Sequence, residues 1–275
     1  MIEALHFEFM QNALFAGLLA SVICGIIGTL VVVNRIVFIS GGIAHAAYGG
    51  IGIAFFFNLP YLLGTLVFSL LISLIMAAVT LKAKHRADTV IGVLWAVGMA
   101  VGVIFLDLAP GYKTDVMSYL FGSILAVPKS DLWLMFAVSI AIVLVTGYFY
   151  NDLLAMSYDE EFASVKGVPV KLLYYLLLGM IAVSVVMLIR VVGLILIIAL
   201  LTIPPYIAEK YSDSLFKMMC LSSLLSAVFT FAGLWFSYIF NLTSGAVIIM
   251  VGGAAFFISF VFDRVREKMQ QSRRN

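Results

Sequence analysis

The sequence predicts an all-α membrane protein, a polytopic transmembrane helical bundle of about eight or nine spans that occupies residues 1–275 as a single domain. Three observations predict it. Hydrophobic residues make up 64% of the chain and charged residues 11%; an ordinary soluble domain carries about 25% charged residues, so here they are too few to cover a water-facing surface. Apolar stretches of membrane length recur from one end to the other, and roughly 20 residues rising about 1.5 Å each cross the hydrocarbon layer. The 22 glycines and six prolines recur inside those stretches, where bundle interfaces and helix interruptions tolerate them.

The same composition narrows the function. A net charge of +2 gives no case for nucleic acid as a partner. Cys24 and Cys220 lack the spacing of a zinc knuckle or redox pair. The start carries Glu3 and Glu8 in place of a basic region, so no cleaved signal peptide is expected.

In chain order the spans are expected near 13–33, 43–58, 61–81, 89–107, 131–150, 170–189, 192–208, 215–239 and 245–262. Two of them leave eight as the alternative to nine. The second is short and rich in small residues. The seventh lies between Arg190 and Pro204-Pro205, and proline lacks a donor and clashes with the preceding turn, so that helix is expected to be bent or broken. Residues 112–127, with Tyr119, Leu120, Phe121, Ile124 and Leu125, suit a short interfacial or re-entrant helix.

Basic residues set the orientation. Arg35, the cluster Lys82, Lys84 and Arg86, then Lys166 with Lys171, Lys210 with Lys217, and the tail from Arg264 through Arg266, Lys268, Arg273 and Arg274 share one side of a nine-span chain. That side is expected to be cytoplasmic, with the N-terminus outside. Lys113, Lys129 and Arg190 are exceptions on the other side. No GxxxxGK[ST] loop occurs, so any energy from ATP has to come from another subunit.

The longest cytoplasmic connection, 151–169, reads NDLLAMSYDEEFASVKGVP. Asp152 and Asp159 suit helix caps, and Glu160 and Glu161 place acids in a first turn. Ala163 and Gly167 are small residues four apart, and Gly167-Val168-Pro169 ends the element. Two readings fit: a capped surface turn, or a short rigid docking helix for a soluble motor.

A transported cation needs oxygen or nitrogen ligands along a polar route. His45 is the leading candidate, within the small-residue run Gly41 to Gly50; imidazole suits zinc and, less selectively, iron or manganese. The alternative is a histidine that hydrogen-bonds within the bundle and meets no ion. Glu209, after Pro204-Pro205, is a pathway or gate candidate or else a partner of Lys210 or a lipid headgroup. Asp107 and Asp115 suit a cation entrance or exposed loops. Arg35 is expected to hold the next helix or a lipid phosphate. His6 and His85 are expected in solvent, Asp88, Asp263 and Arg264 at membrane ends, and Trp95, Trp133 and Trp235 in lipid contact or packing.

The chain also resembles the integral-membrane subunit of bacterial zinc, manganese or iron ATP-binding-cassette importers. The likeness covers nearly all of residues 10–262. It is carried in order by Arg35-Ile36-Val37-Phe38 with Gly42-Ile43-Ala44-His45-Ala46 and Gly49; by Thr89-Val90-Ile91-Gly92 with Gly98 and Gly102; by Tyr119 to Ile124; by Asp159, Ala163, Gly167, Val168 and Pro169; by Val192-Gly193-Leu194 through Ile203-Pro204-Pro205; and by Ser244-Gly245-Ala246.

The resemblance implies a small type II-like permease in the bacterial inner membrane. Its expected partners are a second copy of itself, two ATPase subunits that hold ATP and magnesium, an extracytoplasmic metal-binding protein, and lipid. This chain would bind no cofactor and catalyse no bond breaking. Its substrate would be a divalent metal, zinc foremost with manganese or iron as alternatives, moved by alternating access.

By the same likeness 152–167 is the coupling helix, with Asp159, Glu160, Ala163 and Gly167 meeting the ATPase. His45 matches the family's motif histidine, and Arg35, Gly41, Gly42, Gly49, Pro204 and Pro205 fall in structural or gating segments. Many relatives that carry zinc or manganese have an aspartate one turn before that histidine, where this chain has Gly41, which implies a weaker site completed by carbonyls and water. Two rival classes stand beside this one: an ion-coupled secondary carrier, for which His45 and Glu209 are a sparse set of embedded groups, and a structural subunit with no route of its own.

Overall fold

The computed structural model describes residues 7–82, 86–109, 122, 124 and 127–272, with side chains as far as Arg264. Most of the expected short helix at 112–127, together with Asp115, Lys113, Lys84, His6 and His85, lies outside the described residues, as do the side chains of Arg266, Lys268, Arg273 and Arg274.

Among the described residues the chain is wholly helical, with nine helices long and apolar enough to cross a membrane. They are α1 (Glu8–Val33), α2 (Val37–Phe56), α3 (Tyr61–Lys82), α4 (Ala87–Leu108), α5 (Lys129–Tyr148), α8 (Val170–Val192), α9 (Leu194–Tyr211), α10 (Leu215–Phe240) and α11 (Ser244–Ser272). Between α5 and α8 come two short helices, α6 (Tyr150–Tyr158) and α7 (Glu160–Val165). This is a multi-pass membrane protein.

Two expectations change here. The second span starts at Val37, several residues earlier than its hydropathy suggests, because glycines dilute the apolar signal without ending the helix. The seventh runs through Pro204 and Pro205 without a break. Pro205 has no N–H for the Leu201 carbonyl. Both that oxygen and the Pro205 ring lie where Gly28 of α1 presents no side chain: a Cβ there would stand 2.8 Å from each. Close support from a neighbouring helix is what lets a membrane helix keep proline.

Lipid supplies little hydrophobic drive for helix association, so close packing through small residues has to hold the bundle. α1, α2 and α8 are mostly buried, whereas α4 and α11 turn most of their surface outward. α2 packs on α3 and α4, α1 packs on α9 and α10, and α8 touches both groups. α2 and α4 run parallel, since Gly42 meets Ile91, Ala46 meets Gly98 and Gly52 meets Gly102 in ascending order. Their contact is backbone to backbone: a Cβ on Gly52 would stand 2.2 Å from the Gly102 carbonyl oxygen.

Turn chemistry is equally local. After α1, Arg35 N–H donates to the Val32 carbonyl and Ile36 N–H to Val31, both at 3.0 Å, with Arg35 in the left-handed region at φ +58. This is a Schellman cap with arginine where glycine is usual. The α8–α9 junction is the single residue Gly193, at φ 83 and ψ 160, a conformation available essentially to glycine alone.

Of the basic residues that stand out in the sequence as exceptions, Lys129 and Arg190 are paired with acids, and Lys113 lies outside the described residues. Lys129 Nζ lies 2.7 Å from Glu8 Oε1, and Arg190 Nε lies 2.8 Å from Asp131 Oδ2. Arg190 also sits over the Tyr61 ring, 4.7 Å from its centroid, so one guanidinium ties α3, α5 and α8 together. The opposite end of the bundle carries α6 and α7. Asn34 and the first turn of α10 are hydrogen-bonded to α6 there.

Candidate functional site

His45 lies in the first half of α2, partly buried. Its Nδ1 is 2.9 Å from the carbonyl oxygen of Gly41, one turn earlier. A carbonyl only accepts, so Nδ1 carries the proton and the neutral ring keeps its lone pair on Nε2. That is the state in which imidazole ligates a metal.

Trp95 of α4 stacks on this ring, with centroids 4.0 Å apart and planes at 29°. Its own Nε1 donates to Met99 Sδ at 3.2 Å. Sequence alone assigns Trp95 to lipid contact, the interface or packing; the parallel register of α2 and α4 makes it packing, with the histidine as its partner. A pairing between residues so far apart in the chain has no signature in local hydropathy.

Gly41 is buried, yet a Cβ built on it meets nothing within 4 Å. A small side chain at this position, one turn before the histidine, would therefore meet no neighbour. Gly42 and Gly49 are the opposite case. A Cβ on Gly42 would stand 2.7 Å from Ile91, and one on Gly49 would stand 2.6 Å from Phe68 and 2.7 Å from the Gly98 carbonyl. These two glycines bring α3 and α4 in close around the His45 helix.

The candidate acids Glu209 and Asp107 do not join His45 in a metal cluster, and Asp115 lies outside the described residues. Among the described residues no three His, Cys, Asp or Glu side chains gather as a metal site. Glu209 is exposed on α9. Its neighbour Lys210 pairs with Asp263, Nζ to Oδ2 at 2.6 Å. Asp107 is exposed near the end of α4, within electrostatic reach of Tyr48 on α2. It stands about 18 Å along the helix from Trp95. Arg35 is exposed and holds the turn into α2.

The segment expected as one docking helix at 152–167 is two helices broken at Asp159, which is extended at φ -150 and ψ 92. Asp159 Oδ1 accepts the Phe162 N–H at 2.9 Å and caps α7, in keeping with its spacing; Asp152 lies in the first turn of α6 and is no cap. Glu160 and Glu161 follow in the exposed first turn. Ala163 is completely buried, so its small size serves contact with α6 and α8 of the same chain and not an outward face. The outward face is Tyr158, Phe162 and Val165, all exposed. Gly167, at φ +84, ends α7 in a second Schellman cap, with Val168 N–H donating to Ala163 at 3.0 Å. A Cβ at Gly167 would meet nothing within 4 Å, so the backbone conformation, not space, calls for glycine.

The described residues form a bundle of nine membrane-length helices with an imidazole between glycine-packed helices, the make-up of a membrane permease. A family model for the ABC 3 transport family matches residues 6–263. The chain belongs to that family, among the permease subunits of metal-transporting ATP-binding-cassette systems.

Its relatives agree. An uncharacterised membrane protein of Synechocystis is 50% identical over 264 residues, covering 96% of this chain and 94% of the relative. The manganese transport system membrane protein MntC of Listeria monocytogenes is 32% identical over 258 residues, covering 94% and 92%. Among solved structures, PsaBC from Streptococcus pneumoniae in complex with Fab superposes with a TM-score of 0.85 at 33% identity, over 94% of each chain.

Proposed function

We propose that this chain is the membrane-spanning subunit of an ATP-driven importer of divalent transition metal ions in a bacterial inner membrane. It works as a homodimer by alternating access, receiving the ion from an extracytoplasmic binding protein. The observation that carries the reading is His45. It is the histidine of the described residues, it lies between the closely packed α2 and α4, and its Nδ1–H is committed to Gly41 so that Nε2 is left as the ligand nitrogen.

With no group of three His, Cys, Asp or Glu side chains at hand among the described residues, the ligands beside His45 would be water, carbonyls or groups of the second copy. Such a site binds weakly enough to release its ion, which transport requires. Manganese heads the substrates, because MntC of Listeria and the ScaB permeases of Streptococcus are named as manganese systems; zinc and iron follow from imidazole chemistry.

The energy comes from an ATPase that docks at the α6–α7 end. Exposed Tyr158, Phe162 and Val165 beside Asp159, Glu160 and Glu161 offer it an apolar patch with an acidic rim. Arg35, Lys82, Arg86, Lys166, Lys171, Lys210, Lys217 and Arg264 fall at the same end of a nine-helix chain, and this excess of basic residues supports a cytoplasmic reading of that end, with the N-terminus external. Asp107 at the other end suits the entrance, as does Asp115; Glu209 suits the inner exit.

The test is ATP-dependent uptake of manganese, zinc and iron by the reconstituted complex, with and without His45→Ala. The reading requires uptake by the unmodified complex and its loss, for the preferred metal, on substitution. Equal uptake of every metal by His45→Ala removes the histidine from the pathway.

A further inference from the structure

We propose that Ser157 and Asn34 form the joint through which movement of the docking segment reaches the His45 helix. This rests on the importer reading and names two positioning residues for it.

Helix α6 is attached at both ends. Near its start, the Tyr150 hydroxyl accepts the N–H of Phe216, in the first turn of α10, at 3.1 Å. Near its end, the Ser157 hydroxyl accepts from Asn34 Nδ2 at 2.9 Å. The two attachments are about 10 Å apart along the helix axis. Ser157 directly precedes Tyr158 and Asp159, where the exposed docking surface begins, so a push on that surface arrives at the Ser157 attachment first.

Asn34 is well placed to receive it. The same Nδ2 donates to the Leu30 carbonyl at 2.8 Å, so the amide is pinned to the last turn of α1 and has little freedom to swing. The connection from Asn34 into α2 is short and stiff. Arg35 is left-handed, Ile36 N–H returns to Val31, and α2 starts at Val37. No slack separates Asn34 from α2. His45 is eight residues beyond Val37, about 12 Å up the helix.

Room for the motion exists beside the joint. A cavity of about 320 Å³ opens between the α1–α2 turn, the start of α4 and the start of α7, lined by Arg35, Asp88, Glu160 and Tyr174 among others. Across this gap the docking segment and the turn can approach or separate without repacking a core, while the Ser157–Asn34 bond keeps them in step on its other side.

The experiment uses the full complex of this chain with its ATPase and binding protein in vesicles. Metal uptake and ATP hydrolysis are measured together for the unmodified chain, Ser157→Ala, Asn34→Ala, the double substitution, and Ser157→Thr, which keeps the hydroxyl. Ser157→Ala is the cleaner single change, since Asn34→Ala also strips the end of α1. Metal moved per ATP is expected to fall by about fivefold or more in Ser157→Ala, the scale of one net hydrogen bond, with the amount of co-purified ATPase unchanged. The double substitution should lose no more than Asn34→Ala, and Ser157→Thr should stay within about twofold of the unmodified chain.

An unchanged ratio of uptake to hydrolysis in Ser157→Ala overturns the joint. So does an equal loss in Ser157→Thr, which would make the role one of packing, and so does reduced co-purification, which would make it one of docking. If the unmodified complex imports and Ser157→Ala matches it, the joint alone fails. If the unmodified complex does not import under ATP, the importer reading fails and takes the joint with it.

Discussion

The Trp95 ring lies over the His45 imidazole at 4.0 Å between centroids, so one face of the candidate ligand is covered by an aromatic plane. Aromatic pairs contribute about 0.5–1.5 kcal/mol beyond the area they bury. Trp95→Ala should therefore raise the metal concentration for half-maximal uptake by about three- to tenfold, and Trp95→Phe by no more than about twofold. Initial uptake rates across a metal titration read this directly. Identical curves for tryptophan and alanine would leave the stacking without a part in transport.

Gly41 and Gly52 sit on one helix with opposite surroundings. Nothing lies within 4 Å of a Cβ at Gly41, whereas one at Gly52 would stand 2.2 Å from a backbone oxygen. Gly41→Ala should hold or raise the melting temperature of the detergent-solubilised protein, because alanine is favoured over glycine in a helix by about 0.5–1 kcal/mol. Gly52→Ala should lower it by several degrees, since overpacking costs about 1–3 kcal/mol and here no side chain is available to yield.

The vacancy at Gly41 also allows a carboxylate one turn from His45, where the pair could share an ion. Gly41→Asp is expected to tighten metal binding and to slow release. Competition against a chelator would report the first, and turnover at saturating metal the second. An affinity equal to that of the glycine protein would mean that His45 Nε2 is not directed at the ion.

At Gly167 a left-handed backbone at φ +84 with open space around it separates conformation from size. Asparagine visits that region readily and β-branched residues do not; the strain for an L-residue is about 1–2 kcal/mol. Gly167→Asn should retain the ATPase in pull-down from solubilised membranes, and Gly167→Val should lose most of it. Equal retention by both would show that the ATPase does not depend on how α7 ends.

Asp131 is almost wholly buried and Arg190 about a third exposed, 2.8 Å apart. Removing one partner of a buried pair strands the other charge, at about 3–5 kcal/mol; partial exposure of the arginine puts the expectation at the low end. Asp131→Asn and Arg190→Gln should each destabilise by roughly 3 kcal/mol, and the double change by less than the two combined. Unfolding of the three variants under matched detergent conditions measures the coupling. Strict additivity would reduce the pair to two neighbours.

The spans are legible in the sequence because membrane crossing is a property of local composition, read at the right length wherever the run is uniformly apolar. The features that hydropathy misreads, the start of α2 at Val37 and the unbroken passage of α9 through Pro204-Pro205, are places where a neighbouring helix supplies what the sequence lacks: α3 and α4 cover the glycines of α2, and Gly28 accommodates Pro205. His45 is legible as a polar residue inside an apolar run. Trp95 is not, since only the parallel register of α2 and α4 brings it to the imidazole. Asp159 is legible as a cap because capping is settled within three residues, while the burial of Ala163 depends on how α7 folds back on α6 and α8. Ser157 and Asn34 lie far apart in the chain, and neither has a local pattern that announces the other.

The backbone contact of Gly52 with Gly102 bears on how this protein can move. Helices that mesh through large side chains are locked in register, and sliding one past the other means lifting every ridge out of its groove. At Ala46–Gly98 and Gly52–Gly102 the seam between α2 and α4 carries almost no side chain, while His45 stacks on Trp95 and Phe56 meets Phe105 on either side of that stretch. An axial displacement meets little corrugation in that bare stretch, and the rings that have to follow a small shear step of α2 are Trp95 on His45 and Phe105 on Phe56. The glycines that make the contact tight thereby also make it a bearing.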